Sequence, residues 1–214
     1  MKYLKIGRIS SIGVFYLLLA YVIVTLLGFL SLKSPSDPIG DPYFTLMEIL
    51  IILIAPLMLI VMAAVNVYAP DEVKVFSRIA LIFMVIMTTI TSSVHFLVLV
   101  FSRQNGAVEL NGMSLLFSFK WPSVVYVLDI LAWDWFFALS FLFGSQVFRN
   151  GKLEKTIGVL MIISGVLSLI GLMGVVLNNM QIRNIGIVGY ALVSPAVFFM
   201  LNKMFNLNQN TDRL

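Results

Sequence analysis

Six long apolar runs alternate along the chain with short polar or proline-bearing segments. They lie at about Ile9–Leu32, Phe44–Tyr68, Val75–Phe101, Pro122–Phe148, Thr156–Leu177 and Ile185–Phe205. Each supplies the about 20 residues a helix needs to cross roughly 30 Å of hydrocarbon. The pattern therefore predicts an all-α, polytopic membrane protein, a single domain of six transmembrane helices over residues 1–214. Lys2, Lys5 and Arg8 precede the first run, as in a signal peptide, but the run exceeds the roughly 7–15 residues of a signal core and is read as a retained helix. The segment Lys33 to Pro42 carries three prolines and must be a loop. The longest connection, Ser102 to Trp121, holds two Asn-Gly turn signals. Within it, Met113 to Phe119 is apolar enough either to lie on the membrane surface or to fold over the bundle.

A few ionisable residues break the apolar pattern. The fourth run contains Asp129 and Asp134, the second held between Trp133 and Trp135. The third carries His95 on one helical face with Ser92 and Thr88, and Glu48 lies near the start of the second. An aspartate at a helix centre costs roughly 2.5–3.5 kcal/mol on insertion scales, against about 0.3–0.6 returned by each large aliphatic residue. Such residues are expected to face the bundle interior and mark a functional site. Positive charge sets the topology: ten basic residues, among them Arg8, Lys74, Arg149 and Lys203, fall in the segments on the side of the N-terminus. Four, Lys33, Arg103, Lys120 and Arg183, fall on the other. Both termini are thus expected in the cytoplasm. At about 1.5 Å per residue, Glu48 then lies about 6 Å inside its outer helix end, His95 and Asp129 about 10 Å, and Asp134 about 18 Å. Glu48, Ser92, His95, Asp129, Trp133 and Asp134 are the candidate binding residues, with Asp134 facing His95 and Glu48 across the bundle.

Composition narrows the chemistry. Sixty per cent of the 214 residues are hydrophobic, 11% are charged and the mean hydropathy is +1.03, outside the range of soluble domains. No cysteine is present and His95 is the single histidine. Disulfides, thiolate sites and multi-histidine zinc centres are excluded within the chain, and neither a metal nor a cofactor is implied. The net charge of +4 sits at helix ends rather than in a patch, so nucleic acid is not an expected partner. No nucleotide-binding loop, nucleophile elbow or zinc-protease helix occurs. The fifth run carries Gly158, Gly165 and Ser168, small residues through which a second copy or another subunit is expected to dock.

The leading expectation is an outward-facing polar cavity for transport or sensing of a small solute or ion, proton-linked through Asp134. The alternatives are an intramembrane lipid-modifying enzyme using His95 and a carboxylate as acid and base, and a structural or assembly subunit. Four pieces of the C-terminal half also form a pattern: Ala132-Trp133-Asp134, Val147-Phe148-Arg149-Asn150-Gly151, Ser164-Gly165-Val166-Leu167 and Asn184-Ile185-Gly186-Ile187-Val188-Gly189-Tyr190. Together they resemble a family of small uncharacterised prokaryotic multi-pass membrane proteins of unknown function. The resemblance covers helices four to six and implies a location in the cytoplasmic (inner) membrane of a prokaryote.

Overall fold

Where the apolar runs predict helices, the computed structural model has them. It describes residues 2–34, 37–101 and 113–211, and the secondary structure of these residues is entirely helical. Six helices are long and apolar enough to cross a membrane: α1 Lys2–Leu30, α2 Tyr43–Tyr68, α3 Asp71–Phe101, α4 Val124–Val147, α5 Gly151–Val176 and α6 Met180–Gln209. Four begin several residues earlier than expected: α1, α3, α5 and α6. α1 starts at Lys2, before the apolar run. α6 starts at Met180 because Asn179 accepts a hydrogen bond from the Gln181 amide, an N-cap that opens the helix several residues before Ile185.

Neighbours in sequence are neighbours in space. α1 packs on α2, α2 on α3, α3 on α4 and α4 on α5, and α5 packs along α6. The ring closes between α1 and the part of α6 that begins at Ser194, whereas α1 diverges from the Met180–Val193 portion. Side-chain hydroxyls bond across the helix contacts: Thr88 to the Ala55 carbonyl at 3.2 Å, Ser140 to the Ala80 carbonyl at 2.8 Å and Ser164 to the Gly189 carbonyl at 2.8 Å. In an apolar surround, such bonds and close van der Waals packing supply the association that hydrophobicity supplies in water. The outward surface keeps large apolar residues exposed, Ile23, Leu53, Ile82 and Ile162 among them, as a lipid-facing surface requires.

Two helices depart from α-helical winding. Leu131–Phe137 in α4 and Val188–Val193 in α6 are π-helical, with the wider i→i+5 turn that gathers at functional sites. The small residues of α5 are used inside the chain. A Cβ at Gly158 would lie 3.0 Å from the Phe148 carbonyl oxygen, one at Gly165 3.0 Å from the Ala138 carbonyl oxygen, and Ser168 is fully buried. These three, expected to serve oligomerisation, are covered by the chain's own α4 and α6. The described part of the long connection resolves its two alternatives in favour of folding over the bundle. Helix Met113–Phe117 brings Phe117 onto Phe101 with ring centroids 4.3 Å apart, and Phe119 follows onto His95 at 5.4 Å and Tyr126 at 5.1 Å. Residues 102–112, with their Asn-Gly signals, lie outside the described residues.

Candidate functional site

The ionisable residues of the apolar runs converge. His95 on α3 stands between two carboxyl groups, its Nδ1 2.8 Å from Glu48 Oε2 on α2 and its Nε2 3.1 Å from Asp129 Oδ1 on α4. The three residues form a buried hydrogen-bonded chain across three helices. It continues into a residue that the sequence reading assigned to a loop. Arg183 on α6 lies 3.7 Å from Asp129 Oδ2 through Nη2 and 3.6 Å from Asp134 Oδ2 through Nε. None of the five side-chain-bearing residues is more than 5% exposed, and Asp134 is fully enclosed.

Asp134 therefore sits one step farther along than expected: it faces Arg183 rather than His95 and Glu48. Among the described residues neither of its carboxylate oxygens makes a hydrogen bond, nor does Arg183 Nε. Buried polar atoms are seldom left so. The π-helical turn explains how both aspartates reach one arginine. Five residues along an α-helix leave two side chains about 140° apart at 3.6 residues per turn, whereas an i→i+5 turn brings them closer to one face.

Glycine seats the arginine. A Cβ at Gly174 on α5 would lie 2.9 Å from Arg183 Cα, and one at Gly171 would lie 2.7 Å from Gly186 Cα. Gly186 itself is packed under the Asp134 carboxylate, where a Cβ would overlap it. The guanidinium is held over the ring of Tyr126 at 5.3 Å and that of Tyr190 at 6.0 Å, positions that favour a cation over an aromatic face.

Beside this chain is a cavity of about 340 Å³. Its lining includes His95, Asp129 and Arg183, with Trp133 and Phe119, and a stretch of α1 from Leu18 to Phe29 that is apolar apart from Tyr21 and Thr25. Glu48 and Asp134 are not part of the lining. Trp133 lines the cavity and also packs on Tyr190 with ring centroids 5.0 Å apart. Its neighbour Trp135 is 40% exposed on the outer surface of the bundle. Ser92 does not line the cavity either, and its buried hydroxyl has no hydrogen-bond partner among the described residues. No group of three His, Asp or Glu side chains among the described residues is arranged to hold a metal ion.

Comparison of the chain with protein-family models, with curated proteins and with solved structures finds no match. The site has to be read from its own chemistry. Of the residues singled out from the sequence, Glu48, His95, Asp129 and Asp134 come together in one chain with Trp133 close by, and Ser92 stands apart; Arg183, Tyr126 and Tyr190 were not among them. The signal for Arg183 was Asn179: an N-cap residue there starts the helix before the arginine and so draws it into the membrane-spanning segment.

Proposed function

We propose that the protein is a proton-linked membrane carrier that takes a small solute or ion into the cavity beside the Glu48–His95–Asp129–Arg183–Asp134 chain. The observation that carries this is its charge count. Each of the two hydrogen bonds of His95 contains one proton, so Glu48, His95 and Asp129 share two protons and one net negative charge. The guanidinium of Arg183 cancels that charge. Asp134 is left as a carboxyl group without a counter-ion of its own. An unpaired carboxylate away from water is costly by several kcal/mol or more, so neutrality is completed by a proton on Asp134 or by a cation brought in from outside. A site that is neutral with either one couples the two.

The alternative of acid–base chemistry on a lipid is less well supported, because both ring nitrogens of His95 are already engaged with carboxyl groups and neither is presented to a substrate. Topology adds support for an outward-facing cavity. The site lies at the bundle end opposite the termini, and with Arg183 inside α6 the basic residues on that side reduce to Lys33, Arg103 and Lys120. By the resemblance of helices four to six, the membrane is read as the inner membrane of a prokaryote.

The test uses proteoliposomes containing an entrapped fluorescent pH indicator, with a pH gradient imposed and a panel of inorganic ions, organic anions, organic cations and polyols added in turn. Wild-type protein should discharge the gradient with at least one class of solute, and Asp134→Asn should still bind that solute without moving protons. If no member of the panel acts faster than in protein-free vesicles, the reading is wrong.

A further inference from the structure

We infer that the cavity takes a hydrophobic organic cation, an amine or quaternary ammonium, whose charged head pairs with Asp129 and whose apolar body lies along α1. The inference rests on the proton-linked reading and names its substrate class. Four independent features of the cavity agree on it.

The walls are of two kinds. Leu18, Val22, Leu26 and Phe29 of α1 line the same cavity as Asp129 and Arg183, so an occupant needs an apolar side and a charged or polar head. The lining is also rich in aromatic rings: Tyr21, Phe119, Tyr126, Trp133 and Tyr190 all take part in it. Aromatic faces beside a carboxylate are the recognition chemistry of organic ammonium groups. The charge count selects the sign. Three carboxyl groups meet two bases here, so an anionic head would add negative charge to a site that reaches neutrality only with a proton, whereas a cationic head takes the place of that proton. Finally, the cavity opens sideways. α1 diverges from the Met180–Val193 portion of α6, and the rim residues Leu26, Phe29 and Leu192 are more than half exposed on the lipid-facing surface. An amphiphile dissolved in the membrane reaches the site without crossing water.

Exchange is balanced in charge. Arg183 lies within 3.7 Å of both Asp129 and Asp134 and is hydrogen-bonded to neither in the pairing seen. When a ligand cation pairs with Asp129, Arg183 shifts to Asp134, which releases its proton to water. The groups facing this exchange are His95 from α3, Tyr126 from α4, Tyr190 from α6 and Tyr21 from α1, with Glu48 of α2 behind His95.

The test is equilibrium binding of radiolabelled octyltrimethylammonium to the protein in phosphatidylcholine nanodiscs, with octanesulfonate as a tail-matched anion. The cation should bind saturably, one per chain, more tightly as pH rises, and binding should release a proton in wild type but not in Asp134→Asn. Asp129→Asn should weaken it by about tenfold or more, equivalent to about 1.4 kcal/mol. Trp133→Leu should weaken it by about three- to tenfold, the range expected when one cation–aromatic contact is lost. The lipid-facing Trp135→Leu should bind as wild type does, and gel filtration with circular dichroism checks that each variant is folded. Sulfonate binding as tightly as the cation, or cation binding unaffected by Asp129→Asn, overturns the inference. If the cation binds without releasing a proton, the substrate class stands and the proton-linked reading falls. If another solute discharges the pH gradient while the cation does not bind, the reverse holds.

Discussion

Arg183 shows how much one residue decides in this bundle. It is the cation shared by Asp129 and Asp134, and its own charge is sheltered by two tyrosine rings. Removing one partner of a buried ion pair typically costs about 3–5 kcal/mol, because the remaining charge is stranded. Arg183→Met should therefore lower unfolding stability in detergent by about that amount. Adding Asp134→Asn should recover part of the loss, with a coupling energy of roughly 0.5–3 kcal/mol in a double-mutant cycle, as residues in one network show. Independent, additive losses would mean that the two side chains do not act as a pair. The carboxylates and His95 were legible in the sequence because ionisable residues in apolar runs stand out against a strong background. Arg183 was not, because a cation near a helix end reads equally well as a loop residue, and only the capping by Asn179 distinguishes the two.

The six helices themselves were legible, since length and hydropathy are strong signals over 20-residue windows, but several of their starts were not. Their winding was not. The π-helical stretches Leu131–Phe137 and Val188–Val193 have the composition of ordinary apolar helix, and they arise where two helices must turn aromatic and charged residues onto a shared cavity. The glycine spacing of α5 was visible, and inside the chain these small residues seat contacts with α4 and α6, since small residues fit a contact within the chain as well as one between chains. That use makes a comparative prediction. A Cβ at Gly171 would meet the backbone of Gly186 at 2.7 Å, which cannot move aside without separating α5 from α6. At Gly13 it would meet only the flexible end of Leu57, at 3.4 Å. Gly171→Ala should therefore cost about 1–3 kcal/mol, the usual range for overpacking, and displace Arg183 from Asp134. Gly13→Ala should be within about 0.5 kcal/mol of wild type. Thermal unfolding of the two variants in the same detergent checks the contrast, and equal losses would show that the α5–α6 contact can spread.

The whole molecule is asymmetric along its axis. At the end that carries the termini, α1 and α6 are tied by Arg8 to Asn206 at 2.7 Å and by Asn202 to the Arg8 carbonyl at 2.9 Å. At the same end Tyr68 donates to Glu154 at 2.5 Å, joining α2 to α5. Lys74 caps the last turn of α2, 2.6 Å from the Asn66 carbonyl and 3.0 Å from that of Ala69, where a cation also suits the helix dipole. The opposite end has the cavity and the gap between α1 and α6. The orientation of the bundle therefore decides which compartment the cavity end faces. An even number of spans keeps both termini on one side, and the excess of Lys and Arg there argues that this side is the cytoplasm. The chain has no cysteine, so a single introduced thiol reports its own side. A membrane-impermeant maleimide added outside intact cells should label Lys33→Cys, in the connection between α1 and α2, and leave Lys152→Cys unlabelled until the membrane is opened. The opposite pattern would turn the cavity end toward the cytoplasm. Labelling of both from outside would break the six-span topology, since Lys33 and Lys152 are separated by three crossings, α2, α3 and α4.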